Sequence, residues 1–454
     1  MVKLIGNICF CGGDYMSIKM KERKEREIKK INVKSVLLSI LAGVLGFVLI
    51  VASVNSATVA DKIEKASSYS QVTIDDQLVP QKDENGDWVF TTDRDFKVLQ
   101  LTDIHLGGGF ASADSDEKTM NAVAAMITRE KPDLVIVTGD IGYPVFFQAG
   151  TLNNKSSAKE FITLMEKLGV YWTVTFGNHD TESYSYYNRK EISRFYTDEA
   201  LKYCLYQEGP VDVDGYGNHI IKVKNTNGII TQAFIMIDSH SYIKTDFWGL
   251  MGQYDNIHDN QVEWYKAQIE KMNKENLQAI EKMPEAERKA LTDTYGVVKS
   301  LAFFHIPLVE LKDAWTEFAD GGFKDSKDFK YIDGIVGETG RRVFCGMGED
   351  GLFEAMLETG STKAIFSGHD HYNNLTASYK GIIFSCGYSV DYLAYIGIRN
   401  EGSQRGCTLI TCKPDSTFDI EKFNYYSDRY VLDGFERETA IMQFEGVEYQ
   451  VEED

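Results

Sequence analysis

Five of the eight histidines in this 454-residue chain stand where an apolar run ends. "FKVLQLTDIH" closes with Asp103 and His105, "DLVIVTGD" with Asp140, and "VYWTVTFGNHD" with Asn178, His179 and Asp180. "VKSLAFFHIP" carries His305, and "TKAIFSGHDH" closes with His369 and His371. Imidazole, carboxylate and amide oxygen together suit borderline and hard divalent cations such as zinc, iron and manganese. Two such cations roughly 3.5–4 Å apart clamp the attacking and leaving oxygens of an in-line phosphoryl displacement. Asp140 offers two carboxylate oxygens and so is able to bridge a pair. The histidines of "GHDH" are two residues apart and would face opposite sides of an extended chain. A turn after the strand lets each reach a different cation. Glycine precedes Asp140, Asn178 and His369, which permits tight turns and close backbone approach there.

Each piece alone is weak. "GNHD" is rich in turn formers, and the histidine of "FFHIP" taken alone reads as a core residue beside a turn sooner than as a ligand. The ordered set, each member after an apolar run, is what points to a site. The runs themselves predict the frame that would position it. Strands are expected at 96–103, 133–140, 170–180, 232–240, 298–307, 362–371, 381–387 and 407–412. Helices are expected at 116–130, with Met120, Val123, Ala124 and Ile127 on one face, and at 157–169, ending at Gly169. Strands alternating with helices imply an α/β layered core with parallel pairing, and in open α/β sheets ligands bind beyond the carboxyl ends of strands. The last three strands have no helices between them and are expected to pair antiparallel.

The chain carries a net charge of −20, so a basic surface for nucleic-acid polymers is excluded as its means of binding. A local metal site would still attract a phosphate. The charge is uneven: residues 1–60 hold 9 Lys and Arg against 4 Asp and Glu. Residues 1–34 read as a basic cytoplasmic segment. Residues 35–60 contain no charge and are long enough to span a bilayer, so we expect a transmembrane anchor with the remainder extracytoplasmic. A cleaved signal sequence is the rival, since "NSATVA" offers small residues, and the protein would then be secreted. Met16 or Met20 would make a more typical start for such a segment. Residues 61–95 read as a linker and edge hairpin around "DENGD", 96–412 as the catalytic domain, and 413–454 as an acidic extension. Seven cysteines, two of them as "CFC" at 9–11, make no complete disulfide framework or zinc site, and most are expected to be buried thiols.

The series DIH, GD, GNHD, H and GHDH resembles the calcineurin-like metallophosphoesterase superfamily over roughly residues 96–412. The resemblance implies a four-layer α/β/β/α sandwich with a dinuclear metal centre (manganese, iron or zinc). By that resemblance Asp103, His105 and His371 would bind one metal, Asn178, His305 and His369 the other, and Asp140 would bridge them. A bridging hydroxide would attack phosphorus. His179 would stabilise the transition state or protonate the leaving oxygen, with Asp180 orienting it. Asp370 would bind neither metal.

"NIHDNQVEWYKAQI" resembles a segment of the purple-acid-phosphatase-like branch. Tyr143 lies at the spacing of that branch's metal-binding tyrosine, yet His105 supplies a ligand those enzymes lack. We therefore expect Tyr143 to pack nearby without binding metal. The arginine of protein Ser/Thr phosphatases is absent from "GDIGYP". The expected substrate is a small phosphorylated molecule, a phosphomonoester first, with a phosphodiester of nucleotides or lipids as the alternative. A scaffold that kept the fold without activity is the reading from another class. "TESYSYYNR", with Tyr184, Tyr186, Tyr187 and Arg189, is a candidate pocket wall, and Gly107–Gly109 a candidate flexible rim. Oligomeric state is not readable.

Overall fold

Two sheets take up the apolar runs. The computed structural model describes residues 33–246, 249–399 and 405–437. The basic segment before residue 33, Cys9, Cys11 and residues 438–454 lie outside the described residues. The chain divides into two compact units, Met1–Ser56 and Ala57–Asp454. The described elements are, in order, helix α1 (Val33–Ser68), the short strands β1 (Gln81–Lys82) and β2 (Trp88–Thr91), strand β3 (Phe96–Leu101), helix α2 (Ala113–Glu130) and strand β4 (Leu134–Thr138). Helices α3 (Phe146–Ala149) and α4 (Asn154–Leu168), strand β5 (Trp172–Thr175), helix α5 (Arg189–Tyr196) and strands β6 (His219–Lys224) and β7 (Ile230–Met236) follow. Next come helices α6 (Asp259–Ile280) and α7 (Glu285–Tyr295), strand β8 (Ser300–Phe303), helix α8 (Val309–Asp320), strand β9 (Phe329–Asp333) and helix α9 (Leu352–Thr359). Strands β10 (Thr362–Ser367), β11 (Thr376–Tyr379), β12 (Ile382–Cys386), β13 (Gly406–Cys412) and β14 (Phe418–Asn424) complete the fold.

One sheet has nine strands in the order β1-β2-β6-β7-β8-β10-β12-β11-β9, the other five in the order β14-β13-β3-β4-β5. β3, β4 and β5 run parallel, as do β7, β8, β10 and β12. Alternate side chains explain the layering. Leu301 and Phe303 of β8, with Phe234 and Met236 of β7, join the core between the sheets. Ala302, Ala233 and Ile235 join a second core with Trp264 and Tyr265 of α6, Leu311 and Trp315 of α8 and Phe353 of α9. Strands buried on both faces need apolar residues at nearly every position, which is why these runs are continuous rather than alternating. On the five-stranded sheet, Met120, Val123, Ala124 and Ile127 of α2 are buried, and α4 stops at Gly169, whose φ is 69°. The result is the four-layer helix–sheet–sheet–helix sandwich.

The expected antiparallel pairing of the last three strands is corrected. β10 and β12 run parallel. The chain reverses through β11, which pairs antiparallel with β12. "TASY" is too short and too little patterned to be read as that return strand. β13 lies in the other sheet, antiparallel to β3, and β14 pairs beside it. Helix α8 also escaped the sequence reading. The five described cysteines are free, three of them buried.

Helix α1 is 36 residues long, and its stretch from Lys34 is long and apolar enough to cross a membrane. Its last turns belong to the larger unit and end in a buried charge cluster. Lys62 is 5% exposed and donates to Gly109 O at 2.8 Å and to the Asp116 carboxylate, with Glu160 Oε1 at 3.6 Å. Asp116 in turn accepts Gly107 N–H at 2.8 Å and Gly108 N–H at 3.1 Å. Burial, reinforced by Asp116, holds the Glu160 carboxyl well above the usual range. Lys65 makes a different kind of pair with Glu117 at 2.6 Å, both side chains 48% exposed. Removing one partner of a buried ion pair costs about 3–5 kcal/mol, whereas an exposed pair contributes ~0–1 kcal/mol. Lys62→Met should therefore lower stability by about 3–5 kcal/mol and Lys65→Ala by under ~1 kcal/mol, measured by denaturant unfolding of the full chain in detergent.

Candidate metal centre

The parallel strands deliver their following loops to one edge of the sandwich. Asp103 and His105 follow β3, Asp140 follows β4, Asn178 follows β5, His305 follows β8, and His369 and His371 follow β10. The sheets are tied together there: Gln100 Nε2 donates to Ser367 O at 3.0 Å, and Thr102 bridges Ser389. Four of these residues have left-handed backbones: Asp103 and His105 at φ 51°, Asp140 at 55° and His369 at 76°. A side-chain-bearing residue in that region costs on the order of 1–3 kcal/mol and persists only where its surroundings hold it. Here backbone bonds between loops do so. Asp103 N–H donates to Gly139 O at 3.2 Å, His105 N–H to Asp140 O at 3.0 Å, and His369 N–H to Asp103 Oδ2 at 3.2 Å.

All seven expected donors come together, each buried or nearly so. Donor atoms of Asp103, His105, Asp140 and His371 lie within 4.8 Å of one another. His371 Nε2 is 3.2 Å from Asp103 Oδ1, and His105 Nε2 is 3.3 Å from Asp140 Oδ2. On the other side His305 Nε2 is 3.1 Å from the same Asp140 Oδ2 and 3.2 Å from Asn178 Oδ1. The His369 ring stands edge-on to His305, centroids 5.2 Å apart. A single oxygen of Asp140 thus faces both sets, not one oxygen for each, because Oδ1 accepts His179 N–H at 2.8 Å.

These residues fit a pair of cations. Two donors each about 2.1 Å from one cation and at right angles are roughly 3 Å apart, close to the spacings seen here. His371 Nδ1 is buried without a hydrogen bond, and His105 Nδ1 faces the Asp391 carboxylate at 3.4 Å. His305 Nδ1 donates to Thr138 O at 2.7 Å, which turns Nε2 inward as a lone-pair donor. Burial opposes charge on Asp140, yet His305 and His179 beside it hold its carboxyl well below the usual carboxylate range. Burial likewise opposes protonation of His305, but Asp140 and Asp103 raise it to about 9. The carboxylates thus set up a negative potential here that a divalent cation would satisfy.

His179 stands beside this set. Its Nδ1 is 2.8 Å from Glu182 Oε1, and its ring centroid is 5.6 Å from that of His105. The orienting role expected of Asp180 is corrected. Its carboxylate accepts the N–H groups of Gly177 at 2.8 Å, Gly142 at 2.9 Å and Asp140 at 3.0 Å, tying two loops together. Residues 179–181 form a 3-10 turn, which turns residue i+1 away from His179 and brings i+3 onto its face. That spacing was the available signal for Glu182. Tyr242 accepts from Asn178 Nδ2 at 3.0 Å and donates to Glu182 Oε1 at 3.2 Å, linking the two sides of the site. Asp391, in the loop after β12, lies 3.4 Å from His105 Nδ1, and the rings of Tyr254 and Tyr395 stand edge-on to His369 and His371. Asp391 obeys the same strand-end rule as the others. The tyrosines carry no sequence signal.

The other expectations divide. Tyr143 packs against the rings of His105 and His179, centroids 5.1 and 4.9 Å away, and burial pushes its phenol up to about 12. Asp370 faces away, accepting Asn373 Nδ2 at 2.8 Å and Phe344 N–H at 3.2 Å. Gly107–Gly109 is no flexible rim: it is buried and bound to Asp116 and Lys62. Arg189 turns inward, pairing with Asp238 and donating to Gly177 O at 2.9 Å, while Tyr186 is exposed and Tyr187 packs on the core.

The model of the calcineurin-like phosphoesterase family matches residues 96–373. The Arabidopsis thaliana protein named "Probable inactive purple acid phosphatase 28" is 27% identical over 330 residues, 67% of this chain and 73% of that protein. "Phosphatase DCR2" of Saccharomyces cerevisiae is 25% identical over 301 residues, 63% of this chain and 45% of that protein. A crystal structure of a dimetal phosphatase from Danio rerio aligns with a TM-score of 0.42 at 10% identity, covering 73% of this chain and 100% of that one.

Gly139 tests how tightly the centre is built. Its φ is +86°, and a Cβ there would lie 2.5 Å from His305 Nδ1 and 2.7 Å from Gly177 N. Gly139→Ala should displace His305, lower stability by roughly 1–3 kcal/mol and reduce bound metal, read by denaturant unfolding and elemental analysis.

Proposed function

The chain belongs to the calcineurin-like phosphoesterase family, and from that premise we propose that it is a dinuclear metal-dependent phosphoesterase acting on phosphomonoesters. The observation that carries this reading is the position of Asp140 Oδ2 between His105 and His305, 3.3 and 3.1 Å away, with His179 outside both sets. In this reading Asp103, His105 and His371 would hold one cation, Asn178, His305 and His369 would hold the other, and Asp140 would contribute to both. When bound, the cations supply a nucleophilic water at neutral pH and charge that stabilises the phosphoryl oxygens. The protein's own groups do the rest. Glu182 accepts from His179 Nδ1 and orients the ring so that Nε2 delivers a proton to the leaving oxygen. Asp180 fixes the loops of Asp140 and Asn178, and Asp391 steadies His105 from behind.

The monoester preference draws on relatives that bear the names of phosphatases. Three such names include "inactive", and that word belongs to those proteins. This chain retains all seven donors and His179, which supports activity over the scaffold reading. We read α1 as a retained anchor with the catalytic unit extracytoplasmic, supported by its uncharged length and basic flank. A cleaved signal sequence is the other reading of the same helix.

Three substitutions separate the roles in full-length protein loaded with manganese, iron or zinc. Asp140→Asn should lower bound metal and abolish turnover. His179→Ala should keep the metal and lower kcat about 10²–10⁴-fold. Glu182→Gln should slow alkyl phosphates more than 4-nitrophenyl phosphate, whose leaving group needs little protonation. Unchanged turnover in Asp140→Asn, or no wild-type turnover on any mono- or diester with metals bound, would overturn the proposal.

A further inference from the structure

A second group of metal-type side chains lies outside the centre just described. Donor atoms of His240, Asp255 and His258 fall within 4.8 Å of one another, and the two imidazoles stack at 4.1 Å. Hydrogen bonds on the far side of each ring fix its tautomer. His240 Nε2 is 2.8 Å from Gln261 Oε1, which also accepts His258 N–H at 2.8 Å. Gln261 Nε2 donates to Asp238 O at 2.8 Å, so its Oε1 is an acceptor and His240 Nε2 carries the proton. Nδ1 of His240 is left with its lone pair. His258 Nδ1 is 2.8 Å from Asp214 Oδ2, which leaves Nε2 with a lone pair 3.4 Å from Asp255 Oδ2. An imidazole whose other nitrogen donates to a carboxylate or amide oxygen is the arrangement that orients histidines on metals.

The surroundings favour a cation. Asp255 and His258 line an open cavity of about 570 Å³ together with Asp214, Asp259, Glu349 and Asp350, and neither lysine nor arginine lines it. The position in the chain gives the group a consequence. His240 and Asp255 flank the base of a hairpin: Asp255 N–H donates to Ser241 O at 2.9 Å, and Tyr242 pairs with Tyr254. Those two tyrosines contact Asn178 and His369. His258 immediately precedes α6.

We propose that His240, Asp255 and His258 form a third metal site that takes zinc and clips the base of the Tyr242–Tyr254 hairpin to the start of α6. Two imidazoles and a carboxylate are a zinc-type donor set with one position left for water. Closing the hairpin base with a cation fixes both tyrosines relative to the catalytic loops.

The test is zinc binding by the full-length protein, with zinc ion alone as probe. Content is measured after equilibrium dialysis, and affinity by competition with a chromophoric chelator. Asp255→Asn and His258→Ala should each bind one equivalent fewer than wild type. Asp214→Asn should keep the equivalent but bind it about tenfold more weakly. Asp103→Asn, which touches the catalytic centre, should leave this equivalent in place. The readout is a difference of one equivalent, so it holds whatever number the catalytic centre takes. Because His258 also begins a helix, Asp255→Asn is the decisive variant, its fold checked by circular dichroism. Equal stoichiometry and affinity in Asp255→Asn and wild type would overturn the proposal.

Discussion

Much of this molecule is arranged around one buried carboxylate. Asp140 has no exposed surface, and one of its oxygens meets two imidazoles that arrive from different sheets, His105 after β3 and His305 after β8. An ionised carboxylate so placed is tolerable only with compensating charge and hydrogen bonds. His179 N–H binds its second oxygen, and Asp180 holds its own backbone N–H. Both sheets must therefore end at the same height for the carboxylate to be satisfied.

The two-core sandwich supplies that accuracy. Stiff, doubly buried strands fix where each loop starts, and the loops then give up regular geometry. Four left-handed residues at the donor positions mark where local backbone preference yields to the site. Their strain is held by bonds between loops rather than within them, so the centre forms only when both sheets are in register. This is the usual relation between a well-packed scaffold and a strained site.

What was readable from sequence follows the same division. The donors were legible because each follows an apolar run whose direction is unambiguous, and Asp103, His105, Asp140, Asn178, His305, His369 and His371 all arrive at one edge. Long amphipathic helices such as α2 were legible for the same reason. The partners of those donors were not. Glu182 was hidden behind the adjacency of Asp180, since a tight turn puts the third residue, not the next, on the histidine's face. The hairpin tyrosines reach the site through a chain reversal that carries no periodic signal. β11 was lost because four residues cannot express a pattern, and the strand at β13 was read but its partner was not, because pairing with β3 is a long-range choice that local sequence does not encode. That Asp140 presents one oxygen, not two, depended on where a neighbouring amide would fall.

The apolar N-terminal helix shares residues with the globular unit. Lys62 lies within α1, yet it neutralises a buried acidic pair beneath the glycines that follow His105. The apolar run and the folded unit therefore share one continuous helix. A processing protease that cuts at or before Ala60 leaves a mature protein with its buried cation. A cut only a few residues later removes it and leaves Asp116 and Glu160 facing each other in the interior. Any cleavage that left this buried cluster intact would have to fall on the N-terminal side of that lysine.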